Sequence, residues 1–102
     1  KQDPRRQYGI SQLEGLLSLC WAASRGDLNE IQHLLACGID INAADYDGRT
    51  PLHLAASEGQ ADVVRYLLKH HAVRNPRDRW GNTPLDDAVR HEHDAVVQVL
   101  QG

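Results

Sequence analysis

Apolar residues recur along this chain at a fixed long interval. Leu19, Leu52 and Leu85 form one series, Ile31, Val64 and Val97 a second, and Leu34, Leu67 and Leu100 a third, each stepping by 33 residues. Around these anchors the apolar and polar positions predict helices over 16–24, 28–36, 50–57, 61–70, 83–91 and 94–101. Residues 10–15 are expected to extend the first helix toward its N-terminus. Residues 45–49 and 78–82 read as β-turn tips.

The polar positions keep the same interval. Asn42 and Asn75, Asp45 and Asp78, Gly48 and Gly81, Thr50 and Thr83, and Pro51 and Pro84 all pair at an offset of 33. Ala22, Ala23 and Gly26 precede Ala55, Ala56 and Gly59 by the same step, and no insertion breaks the register. A repeat of this length is one supersecondary unit that cannot bury its apolar face alone, so stacking of neighbours makes the core.

Local chemistry fits paired helices. Thr50 and Thr83 are good N-cap residues, and Pro51 and Pro84 occupy the first helical position, where a missing N–H costs nothing. His53 is placed to bond back toward Thr50. Asp86 replaces it in the last copy, as the reciprocal member of a capping box. Ala55, Ala56 and Ala88 are small where two helices must approach. Gly26 and Gly59 end the first helix of a pair, where a left-handed residue is needed, and Glu92 stands there in the last copy at some cost. The first copy lacks the Thr-Pro-Leu-His start: Ser18 and Cys20 occupy the matching Pro and His positions, which marks a terminal, atypical repeat.

The string Asp47-Gly48-Arg49-Thr50-Pro51-Leu52-His53-Leu54-Ala55-Ala56 resembles the ankyrin consensus, continued by Val63-Val64-Arg65-Tyr66-Leu67-Leu68. Gly38-Ile39-Asp40-Ile41-Asn42-Ala43 is similar to the segment between ankyrin repeats. The resemblance implies an all-α ankyrin solenoid with repeats at about 16–44, 45–77 and 78–102. Residues 1–15 are then a linker and N-terminal helical extension. It also implies binding of protein partners through the turn tips and the exposed side of the inner helices.

Composition adds exclusions. A net charge of −3 gives no global field for nucleic acid, and no apolar run is long enough for a membrane helix. The start, Lys1 to Arg6, lacks the apolar centre of a secretory leader. Cys20 and Cys37 form no Cys-x-x-Cys pair and read as free thiols of an intracellular protein. Among six histidines, His70-His71 and His91-x-His93 are the closest groupings. Adjacent helical residues diverge, and no Cys or carboxylate joins either pair at zinc spacing, so no metal is expected. A Cys20–His53 nucleophile pair lacks an orienting residue and an oxyanion loop, and no phosphate-binding glycine loop is present. No cofactor is expected.

The surface carries the functional signal. By register, the partner-binding candidates are Arg25, Tyr46, Arg49, Glu58, Arg77, Arg79, Trp80, Asn82 and Arg90. Arginines beside exposed aromatics are the composition of interface hot spots. One reading is a groove for an acidic segment of a partner or of the same protein. The other is a solvated face on which Trp80 packs against its neighbouring turn. The last helix carries Val96, Val97, Val99 and Leu100 with no polar capping repeat after it, so exposed apolar surface and self-association or docking are expected there.

Several details beyond the consensus resemble the C-terminal ankyrin region of animal-type (kidney/liver-type) glutaminases. They are Asp78-Arg79-Trp80-Gly81-Asn82-Thr83-Pro84-Leu85-Asp86-Asp87-Ala88-Val89, Asp45-Tyr46-Asp47, Ala56-Ser57-Glu58-Gly59 and Asp3-Pro4-Arg5-Arg6. That resemblance implies an accessory domain of a serine-based, cofactor-free amidohydrolase, homo-oligomeric and mitochondrial; without it, a cytoplasmic scaffold module is expected. The family's Ser-x-x-Lys is absent: none of Ser11, Ser18, Ser24 and Ser57 has Lys three residues on, so no catalytic residue carries over.

Overall fold

The computed structural model describes residues 12–102. Among these residues six helices follow one another: α1 Gln12–Arg25, α2 Leu28–Ala36, α3 Pro51–Ser57, α4 Ala61–Lys69, α5 Pro84–Arg90 and α6 Asp94–Gln101. They pack as three pairs, α1 with α2, α3 with α4 and α5 with α6. The pairs stack through α1 on α3, α3 on α5 and α4 on α6. This is the helical-pair solenoid that the 33-residue register predicts. Part of the expected N-terminal extension, residues 10 and 11, lies outside the described residues.

The helix starts follow their caps. Thr50 and Thr83 both accept from the backbone N–H three residues on, and His53 and Asp86 return a bond to the N-cap N–H, completing two capping boxes. The second helix of each later pair starts differently. Gln60 and His93 make no side-chain cap bond. Instead, the Gln60 amide donates to Ser24 O at 3.0 Å and His93 Nε2 donates to Ser57 O at 2.9 Å, each tying its repeat to the one before. The glycine turns make room for these ties. Gly59 has φ +75°, and a Cβ there would lie 2.7 Å from His93 Nδ1.

The core runs through the stack. Leu19, Ile31, Leu52, Val64, Leu67 and Val96 are fully buried, with Ala23, Ala55, Ala56 and Ala88 where the helices meet. Each large aliphatic side chain so buried contributes roughly 1.5–3 kcal/mol. The end predicted to expose apolar surface is better covered than the sequence implied. Val96 and Leu100 are buried, and Val97 and Val99 are half-buried against the core, because α6 lays this face on α4 and α5. The exposed apolar row stands at the opposite end: Leu13, Leu17 and Trp21 on α1.

Candidate partner-binding face

Two aspartates build the tips. Asp45 Oδ1 accepts the N–H groups of Asp47 at 2.9 Å and Arg49 at 3.0 Å; Asp78 Oδ1 accepts those of Trp80 at 3.0 Å and Asn82 at 2.9 Å. A carboxylate that bonds the backbone two and four residues on sets the turn without help from a sheet. Gly48 (φ +74°) and Gly81 (φ +81°) close the two turns in the left-handed region. The turns push Tyr46 and Trp80 into solvent, 94% and 62% exposed.

The tips are also tied to each other. The Arg79 N–H donates to Asp47 O at 2.7 Å, and its guanidinium bonds the Asp47 carboxylate at 3.0 Å. The same guanidinium lies 5.4 Å from the Trp80 ring centroid, a cation–π distance. Arg77 donates to Gly81 O at 2.9 Å. At the far edge, Arg25 pairs with Asp27 at 2.8 Å and lies 5.7 Å from the Trp21 ring. Glu58 caps the C-terminal end of α3 and is exposed, and Asn82 is half-buried beneath the second tip. Tyr46, Arg77, Arg79 and Trp80 thus form one outward surface, with Arg25, Glu58 and Arg90 on the exposed side of the stack.

Arg49 is turned the other way. Its guanidinium bonds Asp78 and Asp87, each at 2.9 Å, and both carboxylates are fully buried. Arg90 approaches Asp87 from outside at 2.8 Å. Arg49 therefore joins the second and third repeats from within. His53 runs beside it: Nδ1 accepts the Thr50 N–H at 3.1 Å, so Nε2 carries the proton and donates to Asn82 O at 2.9 Å. The sequence showed the turn-stitching role of His53 but not its bond across 29 residues to the next tip. One signal pointed to the Arg49 pair. Asp87 stands at the register position of Leu54 and Trp21, and an acid at a stacking position calls for a cation from the neighbouring repeat.

The electrostatics follow from these contacts. Burial opposes ionisation of Asp78, but the N–H bonds from Asn82 and Trp80, with the positive field of Arg49, outweigh it and hold the carboxyl below its ordinary range. Asp86 is also lowered, chiefly by the Thr83 N–H bond. Burial pushes the Cys20 thiol up to about 12, with the negative charge of Asp45 adding to it against the opposing Arg49. A thiol so protonated is no nucleophile.

Among the described residues, His53, Asp78 and Asp87 bring potential metal-ligand atoms within 4.8 Å of one another. The Arg49 guanidinium already supplies the positive charge between those carboxylates, and both His53 nitrogens are engaged. The group is a charge-compensated staple. Among the described residues no helix is long and apolar enough to cross a membrane.

Comparisons with known proteins agree with this architecture. A family model described as ankyrin repeats in three copies matches residues 19–102. The chain is 49% identical over 55 residues to integrin-linked protein kinase 1 of Arabidopsis thaliana, covering 53% of this chain and 12% of that one. It is 45% identical over 54 residues to the mitochondrial liver isoform of glutaminase of Rattus norvegicus, covering 53% and 9%. It is 50% identical over 36 residues to the potassium channel SKOR of Arabidopsis thaliana, covering 35% and 4%. The chain thus matches about an eighth or less of the length of each of these relatives. With three stacked helical pairs, two capped Thr-Pro helix starts and a family match across residues 19–102, the chain belongs to the ankyrin-repeat family.

Proposed function

We propose that this chain is the protein-interaction and assembly domain of a glutaminase-type amidohydrolase, with the chemistry on a catalytic domain elsewhere in the parent protein. Ankyrin repeats are interaction modules, and that part of the reading rests on the family itself. The glutaminase assignment rests on one observation: the non-consensus string from Asp78 to Val89 together with 45% identity over 54 residues to a liver-type glutaminase. In this reading the chain docks on its catalytic domain or on a second copy, in a mitochondrial setting. The contact surface is the tip face of Tyr46, Arg77, Arg79 and Trp80.

Reading the coding sequence upstream of Lys1 tests the assignment. A catalytic domain carrying Ser-x-x-Lys is the expected finding. A kinase or channel domain in its place would overturn it.

The second reading is a scaffold module that takes an acidic segment of an unrelated partner. It is favoured by the similarity to a kinase and a channel, and by the concentration of guanidinium groups beside Trp80. An acidic segment must compete with Asp47 for Arg79 and with Asp87 for Arg90. Binding of such a segment is therefore expected to weaken steeply with salt.

A further inference from the structure

His33 and Cys37 stand four residues apart at the C-terminal end of α2, so their side chains leave the same face of the helix. Cys37 Sγ lies 3.8 Å from His33 Nε2. His33 is exposed and Cys37 half-buried, which puts the pair at the surface. The register shows that these two positions meet in the next repeat as well. Tyr66 and His70 hold them there, and their rings lie 4.2 Å apart.

The backbone fixes both donors. Ile31 and Leu34 anchor α2 in the core. The Cys37 N–H donates to His33 O at 3.0 Å, the Gly38 N–H to Leu35 O at 3.0 Å and the Ile39 N–H to Leu34 O at 3.2 Å. Gly38 (φ +93°) turns the chain, and Ile39 is buried beyond it. Cys37 thus closes a locked helix end rather than riding on a loose loop.

The two atoms select the ion they suit. A thiolate is a soft ligand and an imidazole serves both copper and zinc. Bonds of about 2.3 Å to sulfur and about 2.0 Å to nitrogen that span 3.8 Å open roughly 125° at the metal, wider than the tetrahedral angle of zinc. Glu14 and Glu30 line the groove beside His33, but among the described residues no carboxylate completes a group of three with the pair. Two protein donors leave zinc half-coordinated, whereas monovalent copper accepts a coordination number of two or three.

We propose that His33 Nε2 and the Cys37 thiolate form a two-donor site for monovalent copper, with a further position open to solvent. Binding releases the thiol proton to solvent, one proton for each ion, and changes no oxidation state. Cys20 is buried on α1 and takes no part. The site is independent of the tip face and of the glutaminase assignment.

The test titrates the full, reduced chain with Cu(I) under anaerobic conditions against the coloured Cu(I) chelator bicinchoninate. The chain is expected to withdraw one copper per molecule, with an ultraviolet thiolate-to-copper band. Cys37→Ser should weaken binding at least a hundredfold, and His33→Ala at least tenfold. Cys20→Ser should bind as the unaltered chain does. Helical circular dichroism should be retained in His33→Ala, whose side chain is exposed, so a lost donor is distinguished from a lost fold. Zn(II) in place of copper should bind at least a hundredfold more weakly. No copper withdrawn, or unchanged affinity in either Cys37→Ser or His33→Ala, would overturn the proposal. So would one copper shared by two chains, because a second thiol would then replace the imidazole, and so would zinc binding as tight as copper.

Discussion

Arg49 shows how far a single residue's role depends on its direction. Its place beside a turn tip suits a surface residue, and the sequence grouped it with the binding candidates. The structure turns it inward to Asp78 and Asp87, 29 and 38 residues away. Separations of that size are invisible to local pattern, whereas the Thr50–His53 stitch, three residues long, was readable. Removing the cation strands two buried carboxylates, so Arg49→Ala is expected to cost about 3–5 kcal/mol in urea unfolding. A loss under 1 kcal/mol would mean that Arg90 and backbone donors suffice. The aspartates also set the acid limit. Asp78 and Asp86 titrate below their ordinary range when folded, so the stability they contribute is complete above the unfolded value. It is lost as pH falls through the folded values. Urea midpoints should therefore hold steady near neutrality and drop below about pH 4, and Asp86→Asn should flatten that drop. The two thiols should differ as well. Cys37 is partly exposed, with Sγ 3.8 Å from His33 Nε2, whereas Cys20 is buried and held protonated. Under native conditions a disulfide reagent should titrate one thiol quickly and reach the second only on unfolding.

At the scale of helices and turns, most of the fold was legible because its signals are local. Thr-Pro starts, glycine stops and small residues at helix contacts each act within a few positions, and the 33-residue register repeats them. The start of α1 was less legible. Apolar Leu13 and Leu17 read equally as core or surface, and the copy lacks the Thr-Pro mark that fixes the other starts. The register also held a signal that went unused: His71 follows Gly38 by 33 and shares its left-handed conformation, φ 75° against 93°. The turn glycines offer a sharp test of inter-repeat packing. Gly59→Ala meets two penalties, a left-handed backbone and a Cβ 2.7 Å from His93, and should cost about 1–3 kcal/mol. Glu92 occupies the equivalent turn with φ 60° and no described repeat beyond it. Glu92→Gly is therefore expected to stabilise by about 1 kcal/mol. Equal effects of opposite sign would assign the whole difference to the backbone and leave none for the His93 contact.

For the molecule as a whole, stability and binding are expected to separate, because a solenoid is held by nearest-neighbour stacking and its tips project outside that stack. The linking contacts, Arg49 to Asp78 and Asp87, His53 to Asn82, Gln60 to Ser24 and His93 to Ser57, lie between repeats. Tyr46 and Trp80 lie outside them, and Arg77 and Arg79 are exposed. Replacing Arg77, Arg79 and Trp80 together with alanine removes a cation–π contact, the exposed Arg77 bond to Gly81 O and one exposed ion pair, to Asp47. Exposed pairs contribute about 0.2–1 kcal/mol, so the melting midpoint should fall only a few degrees. In the parent protein the same triple change should shift sedimentation toward smaller species, because hot-spot aromatics and arginines carry most of an interface's energy. Unchanged assembly with an unchanged melt would mean that the contact lies outside the tips. A large fall in the melt would instead mean that the tips brace the stack through the guanidinium bonds of Arg77 and Arg79, because alanine retains the Arg79 N–H bond to Asp47 O.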